Sequence, residues 1–144
     1  MITQKIVRYS HSIGLFSYQG AGFYNPVDVA IGRDDVIYVL NRAVEFRVGF
    51  SKRVTMCTVA GDFLSQFSDL GTEDGQMMWT VSLAIDAEEN VYMSDEGLHR
   101  ISIFDKDGQY LAKWGVEGAG DGEFNGPAGI AFDSDGNLLV VDSL

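Results

Sequence analysis

Short apolar runs alternate with polar turns along most of this 144-residue chain. In the middle of the chain the runs fall near 81–86, 91–95, 100–104 and 109–114. Each run contains β-branched or aromatic residues, as strands do. The turns between runs, such as Asp105-Lys-Asp-Gly and Asp133-Ser-Asp-Gly-Asn, place glycine where a tight hairpin requires positive φ. No stretch shows helical periodicity, and the pattern therefore predicts an all-β chain with four strands in this unit.

The same pattern repeats along the chain. Residues 23–41, 77–95 and 124–142 align without a gap, at offsets of 54 and 47 residues. Downstream of the first two segments, 53–67 aligns with 100–114. A seven-residue insertion before Arg53 accounts for the difference between the two offsets. A period of ~40–50 residues with four strands in each period is typical of the blades of a β-propeller.

The repeated segments resemble a known family. Gly122-Glu-Phe-Asn-Gly-Pro-Ala-Gly and His99-Arg-Ile-Ser-Ile-Phe-Asp-Lys-Asp-Gly are similar to parts of the NHL repeat. The resemblance covers nearly the whole chain and is strongest over 72–144. It implies a six-bladed β-propeller of four-stranded antiparallel blades, a fold that this family uses mostly as a binding platform.

We predict that residues 1–144 form a single partial propeller, an incomplete ring of about two and a half blades. The predicted parts are the outer strand of a preceding blade at 1–16, blade 1 at 17–68, blade 2 at 69–115 and the first half of blade 3 at 116–144. Blades bury their faces against neighbouring blades, and ring closure removes open strand edges. We therefore expect a protein partner or a second copy to complete the propeller, unless the chain is a truncated piece of a longer protein.

Composition and charge limit the classes of partner and the cellular location expected for this chain. Ten basic and 21 acidic residues give a net charge of −11, which argues against nucleic-acid binding because binding must neutralise phosphates. The single cysteine, Cys57, excludes an internal disulfide and is expected in the core. No apolar run reaches the ~20 residues of a membrane helix, and the first residues lack the pattern of a signal peptide. These features predict a cytoplasmic protein without membrane insertion.

The insertion gives the candidate binding site. It lies in a loop between a second and a third strand, and the resemblance implies that such loops share one face with the loops joining successive blades. We call this face, over the central channel where ligands usually bind, the channel face. The predicted ligand- or partner-binding residues are Arg42, Phe46, Arg47, Phe50 and Lys52. Basic and aromatic side chains in one loop suit an anionic ligand or a protein partner. The alternative is an extended β-hairpin with exposed arginines.

Oxygen-bearing side chains recur where each second strand ends, at Asn41, Asp95 and Asp142. Oxygen ligands suit a hard cation such as Ca²⁺, which makes the three residues candidate metal ligands. The alternative is that each side chain caps its own loop by accepting hydrogen bonds from backbone N–H groups.

The predicted function is a non-catalytic binding or scaffolding module that contacts a protein or ligand through the channel face. The alternative is a metal-dependent hydrolase or lyase, completed by missing or partner blades. Amidating lyases of similar fold depend on several metal-binding histidines, whereas this sequence has only His11 and His99. Gluconolactonase-type propellers place a glutamate before Gly-Pro as a metal ligand, and Asn125 stands there in this chain. We predict no catalytic residue and no required cofactor.

Overall fold

The computed structural model describes residues 8–17, 20–43 and 51–143. These ranges contain ten β-strands and no α-helix, and the strands form two four-stranded sheets and one two-stranded sheet. Within each sheet every strand pairs antiparallel with the next strand along the chain. The predicted all-β fold of four-stranded antiparallel blades is therefore confirmed. In the described part of the chain, no helix is long and apolar enough to cross a membrane.

The three sheets follow one another along the chain. The first contains β1 (Pro26–Ile31), β2 (Val36–Asn41), β3 (Arg53–Thr58) and β4 (Phe63–Phe67). The second contains β5 (Thr80–Ile85), β6 (Val91–Asp95), β7 (Arg100–Phe104) and β8 (Tyr110–Trp114). The third contains β9 (Pro127–Phe132) and β10 (Leu138–Asp142). We call them sheet 1, sheet 2 and sheet 3.

Aspartates close the tight turns between strands. The Oδ1 atom of Asp133 accepts hydrogen bonds from the backbone N–H groups of Asp135 and Asn137, at 2.9 and 2.8 Å. Asp105 makes the same two bonds in the β7–β8 turn. Glycine follows at the position of positive φ, as in Gly136 with a φ of 84°. These side-chain bonds replace ladder bonds that a turn cannot make, so the Asp-x-x-Gly pattern specifies where the strands end at these two turns.

Strand register brings the candidate loops to one end of each sheet. Pro26 pairs with Asn41, and Asn41 pairs with Arg53. The loop between β2 and β3 therefore leaves from the same end as the connector that enters β1. In sheet 2, Thr80 pairs with Asp95, which repeats this arrangement. The blade-connecting loops and the second-to-third-strand loops thus lie together, at the end that corresponds to the channel face.

Apolar side chains fill the space between successive sheets. One cluster joins sheets 1 and 2 and includes Leu40, Met77 and Met93, each 0% exposed. A second cluster joins sheets 2 and 3 around Ile101 and Phe124. Each sheet thus buries one face against the next, as the blades of a propeller do.

The two outer faces of this stack expose apolar residues that are buried at equivalent positions inside it. Val29 on β1 is 55% exposed, whereas its repeat equivalents Leu83 and Ile130 are 6% and 8% exposed. Leu139 on β10 is 58% exposed, and its equivalent Tyr38 is 2% exposed. The ring is not closed. The exposed positions mark two blade-packing faces, which we call the open faces.

The segment before sheet 1 packs on that sheet without forming a strand over residues 8–15. Ile13 lies with Phe23 against the buried side chains of Ile37, Val39 and Cys57. The single cysteine is thus in the core, where burial raises the pKa of its thiol. An outer strand of a preceding blade at 1–16 stays a prediction, since residues 1–7 lie outside the described ranges.

Candidate functional site

The structure brings together the two ends of the predicted binding loop. Phe46, Arg47 and Phe50 lie outside the described residues. Arg42 follows β2 and Lys52 precedes β3, and the Nζ atom of Lys52 donates a hydrogen bond to the carbonyl oxygen of Arg42 at 2.7 Å. The two ends of the loop are therefore held together, and we call this contact the neck of the loop.

A tryptophan from the connector that enters sheet 2 lies beside the two basic residues at this neck. The guanidinium carbon of Arg42 lies 4.7 Å from the ring centroid of Trp79. The Nζ atom of Lys52 lies 5.3 Å from the same ring. Both distances are within the ~6 Å over which a cation is attracted to an indole. Sequence reasoning missed Trp79, because its repeat equivalents, Asn25 and Gly126, are not aromatic.

Lys52 is only 2% exposed, although the loop sequence predicts an accessible charge. Its Nζ atom also donates to the carbonyl oxygen of Met78 at 2.9 Å. Burial lowers the pKa of the ammonium group; Asp95 nearby opposes this effect, and the charge of Arg42 adds to it. Lys52 therefore connects the neck of the loop to the connector that enters sheet 2.

The guanidinium group of Arg42 has no hydrogen-bond acceptor among residues 8–17, 20–43 and 51–143. Its Nε atom is buried and unpartnered. The backbone of Arg42, by contrast, is fixed, because its N–H donates to the carbonyl oxygen of Asn25 at 3.2 Å. The guanidinium group of Arg42 thus lies over the Trp79 ring in a defined position at the channel face, without a hydrogen-bond acceptor among the described residues.

The three candidate metal ligands hold backbone groups of their own blades. Asp95 is 0% exposed and accepts bonds from the N–H groups of Met78, Trp79, Gly97 and Leu98, at 2.7 to 3.1 Å. Every one of these donors lies in a loop next to Asp95. The carboxylate is thus committed to four loop amides.

Asn41 and Asp142 repeat this arrangement. Asn41 accepts a bond from the N–H of Tyr24 at 2.9 Å and donates to Thr55 at 3.0 Å. Asp142 accepts bonds from the N–H groups of Asn125 and Gly126, which hold the pKa of its carboxyl below the usual value. Within the described ranges, no three His, Cys, Asp or Glu side chains are grouped to hold a metal ion. The geometry agrees with the loop-capping alternative.

Two buried arginines hold the blade connectors. Arg53 is 1% exposed and donates to the carbonyl oxygen of Gly22 at 2.8 Å. Its repeat equivalent, Arg100, is 5% exposed and donates to the carbonyl oxygens of Glu73 and Gln76, at 2.8 and 3.0 Å. In the sequence, the alignment of these two arginines at the start of the third strand indicates that they share a role. Each connector at the channel face is therefore fixed by an internal guanidinium group.

The opposite end of the sheets carries a separate inter-sheet contact. Arg33 and Glu89 form an ion pair at 3.3 Å, and the backbone N–H of Arg33 donates to the same carboxylate at 2.8 Å. A cleft of about 610 Å³ lies beside this pair, between the hairpins of sheets 1 and 2. Tyr38 borders the cleft and donates a bond to the carbonyl oxygen of Lys106 at 2.9 Å. These contacts fix the packing of the two sheets.

Comparison with known proteins gives consistent matches. A family model described as a 6-bladed beta-propeller matches residues 51–144. RING finger protein nhl-1 of Caenorhabditis elegans is 34% identical over 65 residues, which are 45% of this chain and 7% of that protein. NHL repeat-containing protein 3 of Mus musculus is 27% identical over 125 residues, which are 85% of this chain and 33% of that protein. This chain thus spans a third or less of the length of either relative.

A solved structure agrees with these sequence matches. Virginiamycin B lyase from Staphylococcus aureus superposes with a TM-score of 0.58 and 13% sequence identity, over 88% of this chain and 36% of that chain. At this identity the similarity shows the fold alone. It agrees with a β-propeller fold for this chain.

Proposed function

Because this chain belongs to the 6-bladed β-propeller family and its repeats are of the NHL type, we propose that it is a non-catalytic binding module that contacts a protein partner through its channel face. The predicted contact residues are those of the insertion loop: Arg42, Phe46, Arg47, Phe50 and Lys52.

The observation that carries this proposal is that buried polar side chains at the channel face hold the loop backbone, whereas the insertion loop has a different composition. Asp95 and Arg100, both buried, bond only to loop backbone in the described contacts. They hold the loops in place and leave no free acid or base at their own positions. The insertion loop interrupts this regular pattern, with three basic residues and two phenylalanines in a chain of net charge −11. A rigid scaffold that presents one distinctive loop is typical of binding proteins.

The open faces support a second part of the proposal, in which another copy of the chain completes the propeller. Val29 on one open face and Leu139 on the other are more than half exposed. Inside the stack, the equivalent of Val29 in sheet 2 packs against sheet 1, and the equivalent of Leu139 in sheet 1 packs against sheet 2. The face of sheet 1 therefore complements the face of sheet 3. Head-to-tail contact between copies uses both faces, in the manner of a heterologous interface.

Partner binding tests the channel-face proposal. A protein captured from a lysate of the source cells is purified, and its affinity is measured for the wild-type chain, Arg47→Glu and Lys106→Glu. Lys106 lies in the β7–β8 turn, at the opposite end of the sheets, and matches the charge change. We expect Arg47→Glu to weaken binding by about tenfold or more and Lys106→Glu to leave it unchanged. The reverse result would overturn the channel-face proposal.

A further inference from the structure

We propose that Arg42, Trp79 and Lys52 form a carboxylate clamp that takes an acidic side chain of a bound protein segment. The inference rests on the proposed function, because it assigns the chemistry that the partner presents at the channel face. It adds Trp79 to the site and gives the loop neck a role distinct from that of the loop's remaining residues.

The guanidinium group of Arg42 is positioned to bind a planar anion. It lies 4.7 Å from the centroid of the Trp79 ring, and the Arg42 side chain is only partly buried. No described residue accepts a hydrogen bond from it, and its Nε atom is buried without a partner. Because the Nε atom is buried, a carboxylate binds through the Nη atoms. The two-oxygen edge of a carboxylate matches the fork of the guanidinium.

Lys52 supplies the second positive charge. Its ammonium group has three N–H donors, and the carbonyl oxygens of Arg42 and Met78 accept two bonds, at 2.7 and 2.9 Å. The third donor has no acceptor among the described residues. Because Lys52 is 2% exposed, it adds positive charge beside the ligand, and the partly exposed Arg42 makes the direct contact.

The charges at the neck favour an anion. Arg42 and Lys52 each carry one positive charge, and Asp95 is the carboxylate whose field reaches Lys52. Asp95 partly offsets the charge of Lys52, and the remaining positive charge attracts a carboxylate. The basic first part of the chain, residues 1–60, holds seven basic and four acidic residues, so it does not repel an acidic segment.

The two tryptophans of the chain provide the test. The full chain, labelled at the indole nitrogens, is titrated with a hexaglutamate peptide while the indole N–H resonances are followed. Trp114 lies on β8 against Phe124, with ring centroids 4.9 Å apart, and serves as the internal reference. We expect hexaglutamate to shift the Trp79 resonance and leave Trp114 in place, and hexaglutamine to shift neither.

Variants identify the clamp. Arg42→Gln is expected to weaken the affinity for hexaglutamate, measured from the Trp79 resonance, by about tenfold or more, because it removes the charged donors. Arg8→Gln makes the same change of charge at an exposed position and is expected to leave the response unchanged. An unaltered Trp114 resonance in Arg42→Gln shows that the fold is retained. An equal response in wild type and Arg42→Gln would overturn the clamp.

The ligand class is tested in parallel. If hexaglutamine or inorganic phosphate shifts Trp79 as strongly as hexaglutamate, the assignment to a carboxylate is wrong. If acetate binds as tightly as hexaglutamate, the ligand is a small carboxylate and the assignment to a protein segment is wrong. The absence of any Trp79 shift overturns the clamp but not the proposed function, which depends on the separate affinities of Arg47→Glu and Lys106→Glu.

Discussion

Lys52 and His99 occupy the same position of consecutive repeats and make the same contact with the following sheet. The Nζ atom of Lys52 donates to the carbonyl oxygen of Met78 at 2.9 Å, and the Nδ1 atom of His99 donates to that of Asn125 at 2.8 Å. Met78 and Asn125 are themselves repeat equivalents, 47 residues apart. Two different side chains thus satisfy one requirement of the architecture, a donor that joins the second-to-third-strand loop to the next connector.

This equivalence predicts how Lys52 variants behave. Lys52→Met keeps much of the buried stem but leaves the carbonyl oxygens of Arg42 and Met78 without their donor. We expect it to lower the free energy of unfolding by about 1–3 kcal/mol. Lys52→His is expected to restore part of the loss, since His99 makes this contact in the next repeat. Urea unfolding at constant m-value measures both; equal stability of Lys52→Met and wild type would contradict the role.

Much of the fold was predictable because its determinants are local. Apolar runs and polar turns define the strands from a few adjacent residues, and the offsets of 54 and 47 residues define the repeat. The loop-capping alternative for Asp95 was also derived from its recurrence. The four N–H groups that it binds could not be read from sequence, because Met78 and Trp79 lie more than fifteen residues upstream.

The candidate site was less predictable, because burial depends on the neighbouring sheet. The composition of the insertion loop predicts an accessible Lys52, yet the residue is 2% exposed and its ammonium group bonds to two carbonyl oxygens beside the Trp79 ring. The alignment of Lys52 with His99 contained the relevant signal, but not the identity of the acceptor. Trp79 has no aromatic equivalent in the other repeats, so no pattern in the sequence indicated it.

The carboxyl of Asp142 predicts a pH-dependent contact in sheet 3. Its bonds from the N–H groups of Asn125 and Gly126 depress the folded-state pKa, so the contact adds stability above the unfolded-state value of about 3.9. This stability is lost as the pH falls through the depressed pKa. We expect the amide resonance of Gly126 to titrate with a midpoint below about 3.9. Asp142→Asn removes that titration; a midpoint at or above the usual aspartate value would contradict the arrangement.

The capping role of Asp95 predicts a large loss of stability on truncation. Asp95→Ala leaves four loop N–H groups without their acceptor and is expected to cost about 3 kcal/mol or more in the free energy of unfolding. Asp95→Asn keeps one acceptor oxygen, as Asn41 has in sheet 1, and is expected to cost less. Because the carboxylate is already committed to these donors, millimolar Ca²⁺ should not raise the Tm. A Ca²⁺-dependent rise in wild type that is absent in Asp95→Asn would instead support the metal site.

The open faces predict assembly in solution. Val29 and Leu139 are 55% and 58% exposed, and burying such side chains stabilises a contact by about 25 cal/mol per Å² of apolar surface. Light scattering is expected to give a mass above that of one chain, and either Val29→Asp or Leu139→Asp should dissociate the assembly, since a head-to-tail contact uses both faces. Leu111→Asp is the matched control, because Leu111 on the outer strand β8 is 52% exposed but lies on neither open face. A folded wild-type monomer, or dissociation by Leu111→Asp alone, would show that copies of this chain do not complete the propeller.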